Sequence, residues 1–250
     1  MSRAPGSYLC ARLRITDKMH KNMKNRFTPL FIHVLSVGAV AFLCQNAQSQ
    51  SFTVYNDSAV YSHANFNFDS GSASSDSAGQ EIVLGNVGAN ATITQFQVQI
   101  DFTGTGTPTG SVDVGFYQNN GALFNGYASP GTQLWDAGST PLTAFTTGGG
   151  STLTYTVPNI VVPKDFTYIV TFNGLTSTEA AGLSIYGTAS TGLNYHDAWV
   201  DTGTGYVLQE AIGSEPTLEF GATMSGVPEP STVVLGVMGA CAFLARRRKN

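Results

Sequence analysis

The middle of this chain has almost no positive charge and no cysteine. Between Ser51 and Gly226 stand nine aspartates and five glutamates but only one base, Lys164, which gives a net charge of −13 with histidine neutral. A surface of this sign repels phosphate groups, so we expect no nucleic acid among the partners. All three cysteines lie outside this stretch, so its fold must depend on its own apolar core rather than on disulfide bonds.

Motifs for the common enzyme and metal sites are missing as well. The chain has no Gly-x-Ser-x-Gly for a serine-hydrolase elbow and no His-Glu-x-x-His for zinc. The middle stretch has two histidines, His63 and His196, which is too few for a histidine-rich metal site. A carboxylate pair for glycoside hydrolysis stays open, because a sequence does not give the separation of two acids.

The two ends of the chain hold eleven of its twelve bases. Residues 1–49 have the pattern of a secretory signal peptide, with a basic region, an apolar helix from Pro29 to Leu43 and a polar stretch before the cleavage point. The basic region is long, and a start at Met19 or Met23 gives a more ordinary one. This pattern predicts the Sec translocon and signal peptidase as partners, and export of the body of the protein.

The last segment, 227–250, has three successive parts. Two prolines make the first part rigid and extended. The second part, 231–245, is uncharged and predicts a single transmembrane helix, roughly 22 Å long against a hydrocarbon core of about 30 Å. The basic third part can reach toward the membrane surface and stays cytoplasmic, so the preceding chain lies outside. The first and third parts are Val227, Pro228, Glu229 and Pro230, and Arg246, Arg247, Arg248 and Lys249.

This order of parts resembles the PEP-CTERM sorting signal of Gram-negative bacteria, which is also catalogued as an ice-binding protein C-terminal domain. The resemblance covers 227–250 and implies recognition of Pro228-Glu229-Pro230 by an exosortase, a membrane transpeptidase-like protease. It also implies that the protein, first anchored by its C-terminal helix, resides at the cell surface or in extracellular polysaccharide. The threonines at 152, 154 and 156 do not extend the ice-binding label, because a regular repeat of such triplets is missing and threonine is favoured in strands.

Alternation of apolar and polar residues predicts strands throughout residues 50–226. From Thr94 to Phe102 the alternation is unbroken, which is typical of a half-buried antiparallel strand. Turns rich in glycine, asparagine and proline separate the strands. The pattern predicts an all-β fold, an antiparallel β-sandwich of jelly-roll type, flanked by the signal helix and the transmembrane helix. The predicted strands are Phe52–Asn56, Gln80–Leu84, Thr94–Phe102, Ser111–Gln118, Thr152–Val157, Phe166–Phe172, Gly182–Tyr186, Tyr195–Val200, Tyr206–Gln209 and Leu218–Ala222.

Two segments are expected to lie outside the strands. Asp69–Gly79 is low in complexity and poor in apolar residues, which predicts an exposed loop or a mobile connection. Met224–Val227 is predicted to be a short linker, which puts the end of the β-rich domain at residue 226.

The densest polar and aromatic cluster is Asn194–Asp201. In a regular strand Tyr195, Asp197, Trp199 and Asp201 share one face. One interpretation is a glycan platform, with Tyr195 or Trp199 stacking on a sugar and Asp197 bonding its hydroxyls. A second is a calcium site that uses Asp197 and Asp201, because calcium takes carboxylate oxygens. A third is purely structural, with the tryptophan in the core and the aspartates capping turns.

The pattern as a whole favours a non-enzymatic protein of the cell surface or extracellular matrix. Glycan binding or adhesion, for example to exopolysaccharide, is the role we consider for it. The alternative is an exported carbohydrate-active enzyme on a jelly-roll scaffold. A deep cleft with two close carboxylates favours the enzyme, and a closed sandwich with shallow surfaces favours the binding or structural role.

Overall fold

The computed structural model describes residues 50–58, 61–68, 76–104, 108–145, 149–176, 179–209, 218–228 and 239. The predicted signal peptide, transmembrane helix and basic cluster lie outside the described residues, apart from Gly239. Of the predicted sorting motif, only Val227 and Pro228 are described. Within this described part, the structure has no helix whose length and apolar character would let it span a membrane.

The described residues form sixteen antiparallel strands and one short 3-10 turn, Leu142–Ala144. The strands are β1 Phe52–Asp57, β2 Tyr61–Phe68, β3 Asp76–Val83, β4 Asn90–Gly104, β5 Ser111–Tyr117, β6 Leu123–Phe124, β7 Tyr127–Ala128, β8 Gln133–Asp136, β9 Thr140–Pro141, β10 Gly149–Pro163, β11 Asp165–Asn173, β12 Glu179–Tyr186, β13 Leu193–Asn194, β14 Ala198–Asp201, β15 Tyr206–Gln209 and β16 Ala222–Pro228. The all-β prediction is confirmed for the part of the chain that the structure describes.

The strands assemble into two large sheets. In the first sheet, β4 pairs with β10 along one edge and shares its other edge between β16 and β12, which pair in turn with β1 and β2. The second sheet has the order β15-β14-β3-β11-β5-β8, with β13 added beside β3 and β9 beside β5. Strands β6 and β7 form a separate small hairpin.

One apolar core lies between the two sheets. The alternation predicted for Thr94–Phe102 is confirmed on its apolar side, because Phe96, Val98, Ile100 and Phe102 are all buried. The ring of Phe96, from the first sheet, lies 5.3 Å from that of Phe116 and 5.2 Å from that of Tyr168, both from the second. Inward-facing side chains from two sheets that meet in this way are typical of a β-sandwich.

The prediction of an exposed loop over Asp69–Gly79 is wrong for its last four residues, which begin β3. Ala78 is fully buried, and Ser77 exchanges a 2.8 Å hydrogen bond with Thr171 of β11. A Cβ on Gly79 would collide with the backbone carbonyl of Tyr168. The small residues that resemble a flexible linker in the sequence therefore allow two strands to approach closely.

The prediction of a linker at Met224–Val227 is also wrong. Strand β16 lies between β1 and β4, with Met224 fully buried and Val227 paired with Thr92. The sheet therefore continues through the expected domain boundary and into the first two residues of the predicted sorting motif, because the alternation of Ala222, Met224 and Gly226 fits a central strand.

Candidate functional site

An open cavity of about 500 Å³ lies where β3 and β11 meet the loops that follow β5. We call it the carboxyl pocket. Its volume is in the range of small-molecule sites in proteins. Its lining residues are Glu81, Gln118, Asn119, Asn120, Tyr127, Ala128, Pro163 and Asp165.

Strand register places the two acids of the carboxyl pocket side by side. Glu81 pairs with Thr167, and Asp165 pairs with Val83, so the two carboxyl groups are diagonal neighbours on the outer face of the second sheet. Asn119 holds Asp165 in position. Its Nδ2 donates to Asp165 Oδ1 at 2.9 Å, and its Oδ1 accepts from Thr167 Oγ1 at 2.7 Å.

The environment of this pocket favours the protonated form of Glu81. Burial, followed by the charge of Asp165, a hydrogen bond between the two carboxyl groups and the charge of Asp197, raises the pKa of Glu81 from 4.5 to about 7. Two carboxyl groups this close do not both ionise readily, because the second negative charge is repelled by the first. When it is protonated, Glu81 can donate a hydrogen bond to a ligand as well as accept one.

The chain brings Tyr195 and Asp197 to this pair, although it does so through a turn. The predicted strand Tyr195–Val200 is interrupted between β13 and β14, where the amide of Asp197 donates to the carbonyl of Tyr195. The Tyr195 side chain is 46% exposed, and its hydroxyl donates to Asp165 Oδ2 at 3.5 Å. Burial and the nearby charges of Asp165 and Glu81 raise the Tyr195 pKa.

The prediction that Trp199 stacks on a sugar must be corrected. Trp199 is paired opposite Gly79 and is fully buried, so a sugar cannot reach its ring. Its indole N–H lies close enough to Glu81 to lower that pKa, yet it has no acceptor in hydrogen-bonding geometry. Trp199 is therefore a buried packing residue close to Glu81, as the structural interpretation of this residue predicted.

Asp201 caps a turn, also as the structural interpretation predicted. Its Oδ1 accepts from the amide of Gly203 at 2.8 Å in the connection between β14 and β15. Across the ranges that the structure describes, no group of three or more histidine, cysteine, aspartate or glutamate side chains is arranged to hold a metal ion.

A second acid pair, Asp57 and Glu219, lies inside the sandwich. Burial and the charge of Glu219 raise the pKa of Asp57 to about 8, while a hydrogen bond from Asn194 Nδ2 at 2.8 Å partly opposes this shift. Glu219 contacts Nδ1 of His196. Both acids are at most 2% exposed, so this pair is out of reach of a ligand. Asn194 and His196 thus serve the buried pair, whereas Tyr195 and Asp197 serve the carboxyl pocket.

The carboxyl pocket is built for hydrogen bonding to a polar ligand. Three side-chain amides can donate and accept, and they are held in place, as when Asn120 Nδ2 donates to Gln118 Oε1 at 2.9 Å. Tyr127 and Tyr195 expose their rings at the pocket or beside it, and are 61% and 46% exposed. This chain matches no family model, no curated protein and no solved structure. The chemistry of the pocket is therefore the basis for a functional assignment.

Sequence reasoning missed Glu81, Asp165 and the three amides. They come from β3, from the start of β11 and from the loop after β5, and only strand register brings them together. The one available signal was the Gln118-Asn119-Asn120 run, which the sequence also marks as a turn.

Proposed function

We propose that this protein is an exported, non-enzymatic glycan-binding protein of the cell surface or extracellular matrix, and that the carboxyl pocket is its binding site. The observation that supports this most directly is the meeting of two carboxyl groups, three amides and the exposed ring of Tyr127 in one open cavity, with Tyr195 beside it. Carboxylates and amides bond sugar hydroxyls, and aromatic rings cover the apolar faces of sugars.

The scaffold that we propose is a jelly roll. Eight of the strands, β2, β3, β4, β5, β8, β10, β11 and β12, can be numbered one to eight along the chain. They then follow the order 1-8-3-6 in the first sheet and 2-7-4-5 in the second. This alternation between facing sheets is the order of two nested Greek keys.

The location is proposed from the ends of the chain. The signal-peptide pattern of 1–49 supports export through the Sec translocon and cleavage by signal peptidase. The resemblance of 227–250 to a PEP-CTERM signal supports anchoring by helix 231–245, followed by processing by an exosortase. At that location, exopolysaccharide is the glycan closest to the protein.

The test is glycan binding by the full chain, first on an array and then by titration with each glycan that binds. Tyr127→Ala removes an exposed ring of the pocket, and we expect the Kd to rise about tenfold, in the range of one aromatic contact. Leu123→Ala is the matched control, because Leu123 is 74% exposed on the same β6–β7 hairpin but does not line the pocket. Equal Kd values for the two variants, or an absence of binding to any glycan, would overturn the proposal.

A carbohydrate-active enzyme is the second candidate, and the raised pKa of Glu81 beside Asp165 is the observation that favours it. Against it, the two carboxyl groups are joined by a hydrogen bond, whereas glycosidase pairs stand roughly 5–9.5 Å apart. Release of reducing ends from a bound glycan, lost in Glu81→Gln, would favour the enzyme.

A further inference from the structure

The edge of the first sheet is formed by β10, Gly149–Pro163. Among the described strands β10 pairs only with β4, so its other side presents unpaired backbone N–H and C=O groups. From Gly150 to Val157 this edge has no charged residue and no proline. It ends at Pro158 and at Asn159, whose φ of 54° accompanies a shift in register. Proteins commonly protect such edges with lysine, proline or a bulge, and here that protection comes only after eight residues.

The outer face beside this edge is uncharged, in contrast to the net charge of −13 on residues 51–226. Beside Ser151–Val157, the side chains that alternate with the buried positions of β4, β10 and β16 are hydroxyls and amides, whereas farther along β10 the apolar Val161 is 51% exposed. Asp101, the acid of β4, is only 5% exposed. A second copy of the chain is therefore repelled least at this face. The outward side chains are Gln95, Gln97, Gln99, Thr152, Thr154, Thr156, Thr223 and Ser225.

The edge is also complementary to itself. When two copies of Ser151–Val157 run antiparallel with Thr154 opposite Thr154, each Thr152 faces a Thr156. On the inner side, Leu153 then faces Tyr155 of the other copy. Threonine pairs and aromatic–aliphatic pairs across strands each contribute favourably. A two-fold interface needs this property, because residue i must contact j while j contacts i.

We propose that two copies of this protein associate through β10, antiparallel, with the two-fold axis at Thr154. The first sheets of the two copies then form one continuous sheet with an unbroken row of threonines on its outer face. About seven residues from each chain pair, so the contact is small and association in dilute solution is weak. Confinement to one surface raises the local concentration and makes such a contact effective. This inference does not depend on glycan binding.

Cysteine cross-linking tests the register. The background is the full chain with Cys10, Cys44 and Cys241 replaced by serine. In Thr154→Cys the two thiols lie directly opposite each other, at the Cα separation that a disulfide needs, so mild oxidation should give a covalent dimer. In Thr152→Cys alone each thiol faces a threonine and should stay free. The combined Thr152→Cys and Thr156→Cys variant should restore the dimer.

Oxidation that gives equal yields for Thr154→Cys and Thr152→Cys, or no dimer in either, would overturn the proposal. If neither variant formed a dimer, the edge of β10 would remain available to pair with a strand of a different protein.

Charged substitutions test the same contact without a cross-linking reaction. Thr154→Lys places two cations across the axis, and we expect the dimer Kd measured by sedimentation to rise at least tenfold. Gln95→Lys, on the same face but one strand inward, should change it less than threefold. The far-ultraviolet circular dichroism of both variants should match that of the parent chain, which separates loss of pairing from loss of fold. Equal Kd values for the two lysine variants would refute the contact.

Discussion

The two sheets differ in where they place their acidic side chains. The first sheet buries its acids: Asp57, Asp101 and Glu179 are 1%, 5% and 4% exposed. Beside Ser151–Val157 its outer face carries threonine and glutamine instead. The second sheet sets its acids on its outer face in hydrogen-bonded pairs, Glu81 with Asp165 and Asp113 with Asp136. One sandwich therefore has a neutral side suited to contact with a second copy of the chain and an acidic side suited to polar ligands.

The largest effect is expected from breaking the second sheet alone. Gly79→Ala places a Cβ against the backbone carbonyl of Tyr168, which cannot move without separating β3 from β11. We expect a loss of about 3 kcal/mol or more in the free energy of unfolding, measured by urea denaturation. Gly88→Ala is the control, because a Cβ there meets nothing within 4 Å, and it should change stability by less than about 0.5 kcal/mol. Equal losses would contradict the close approach of the two strands.

The next largest effect concerns Asp57, one of the acids that the first sheet buries. The Asp57 pKa is raised from 3.8 to about 8 in the fold. Between these values the unfolded chain ionises while the native state keeps its proton. Stability therefore falls as pH rises, by at most about 1.4 kcal/mol per pH unit for one group. Asp57→Asn should flatten this fall, seen as a smaller difference in Tm between pH 5 and pH 8.

Glu179 provides the control for that prediction. Burial alone would raise its pKa, but hydrogen bonds from Thr176 and Thr109 lower it. Its contribution to stability is complete above pH 4.5 and is lost only in more acidic solution. Glu179→Gln should therefore lower Tm at both pH 5 and pH 8 and leave their difference unchanged. If Asp57→Asn kept the parent difference, the burial of a protonated Asp57 would be refuted.

The smallest effect comes from giving the neutral face an acid. Gln97→Glu exchanges the amide that donates to Thr154 Oγ1 at 3.2 Å for a carboxylate that can accept from it. We expect less than about 0.5 kcal/mol of change in unfolding free energy, and only a small rise in the dimer Kd, because the two new charges are three strand spacings apart. A change in stability above 1 kcal/mol would show that neutrality serves the fold and not the contact.

Alternation along the chain predicts strands well where one face is buried. The inward residues of β4 and β5 are buried as expected, and β15 has the predicted bounds Tyr206–Gln209. The prediction fails where small residues replace apolar ones, as in Asp76–Gly79, since close packing of backbones leaves no apolar side chain to detect. It also missed β2, in which Phe66 and Phe68 alternate with asparagines.

The candidate site was predictable only in part, because alternation does not indicate which sheet a strand joins. Tyr195 and Asp197 were found as a local cluster, and the structure places both beside Asp165 and Glu81. The acids themselves are separated by more than eighty residues, and nothing local distinguishes them from other acids at strand positions. The neutral face could not be predicted for the same reason, because it is recognised only once strand pairing places Thr152, Thr154 and Thr156 beside the glutamines of β4.

The placement of β16 has a mechanical consequence. Its C-terminal end leads directly into the segment proposed to hold the protein at the membrane, and it is flanked on both sides, by β1 and β4. When a force pulls that end along the strand axis, the lateral hydrogen bonds to β1 and β4 bear the load together, in shear. An edge strand pulled sideways would instead unzip one bond at a time. A tether attached in this way resists flow or traction best in the direction in which it is stretched.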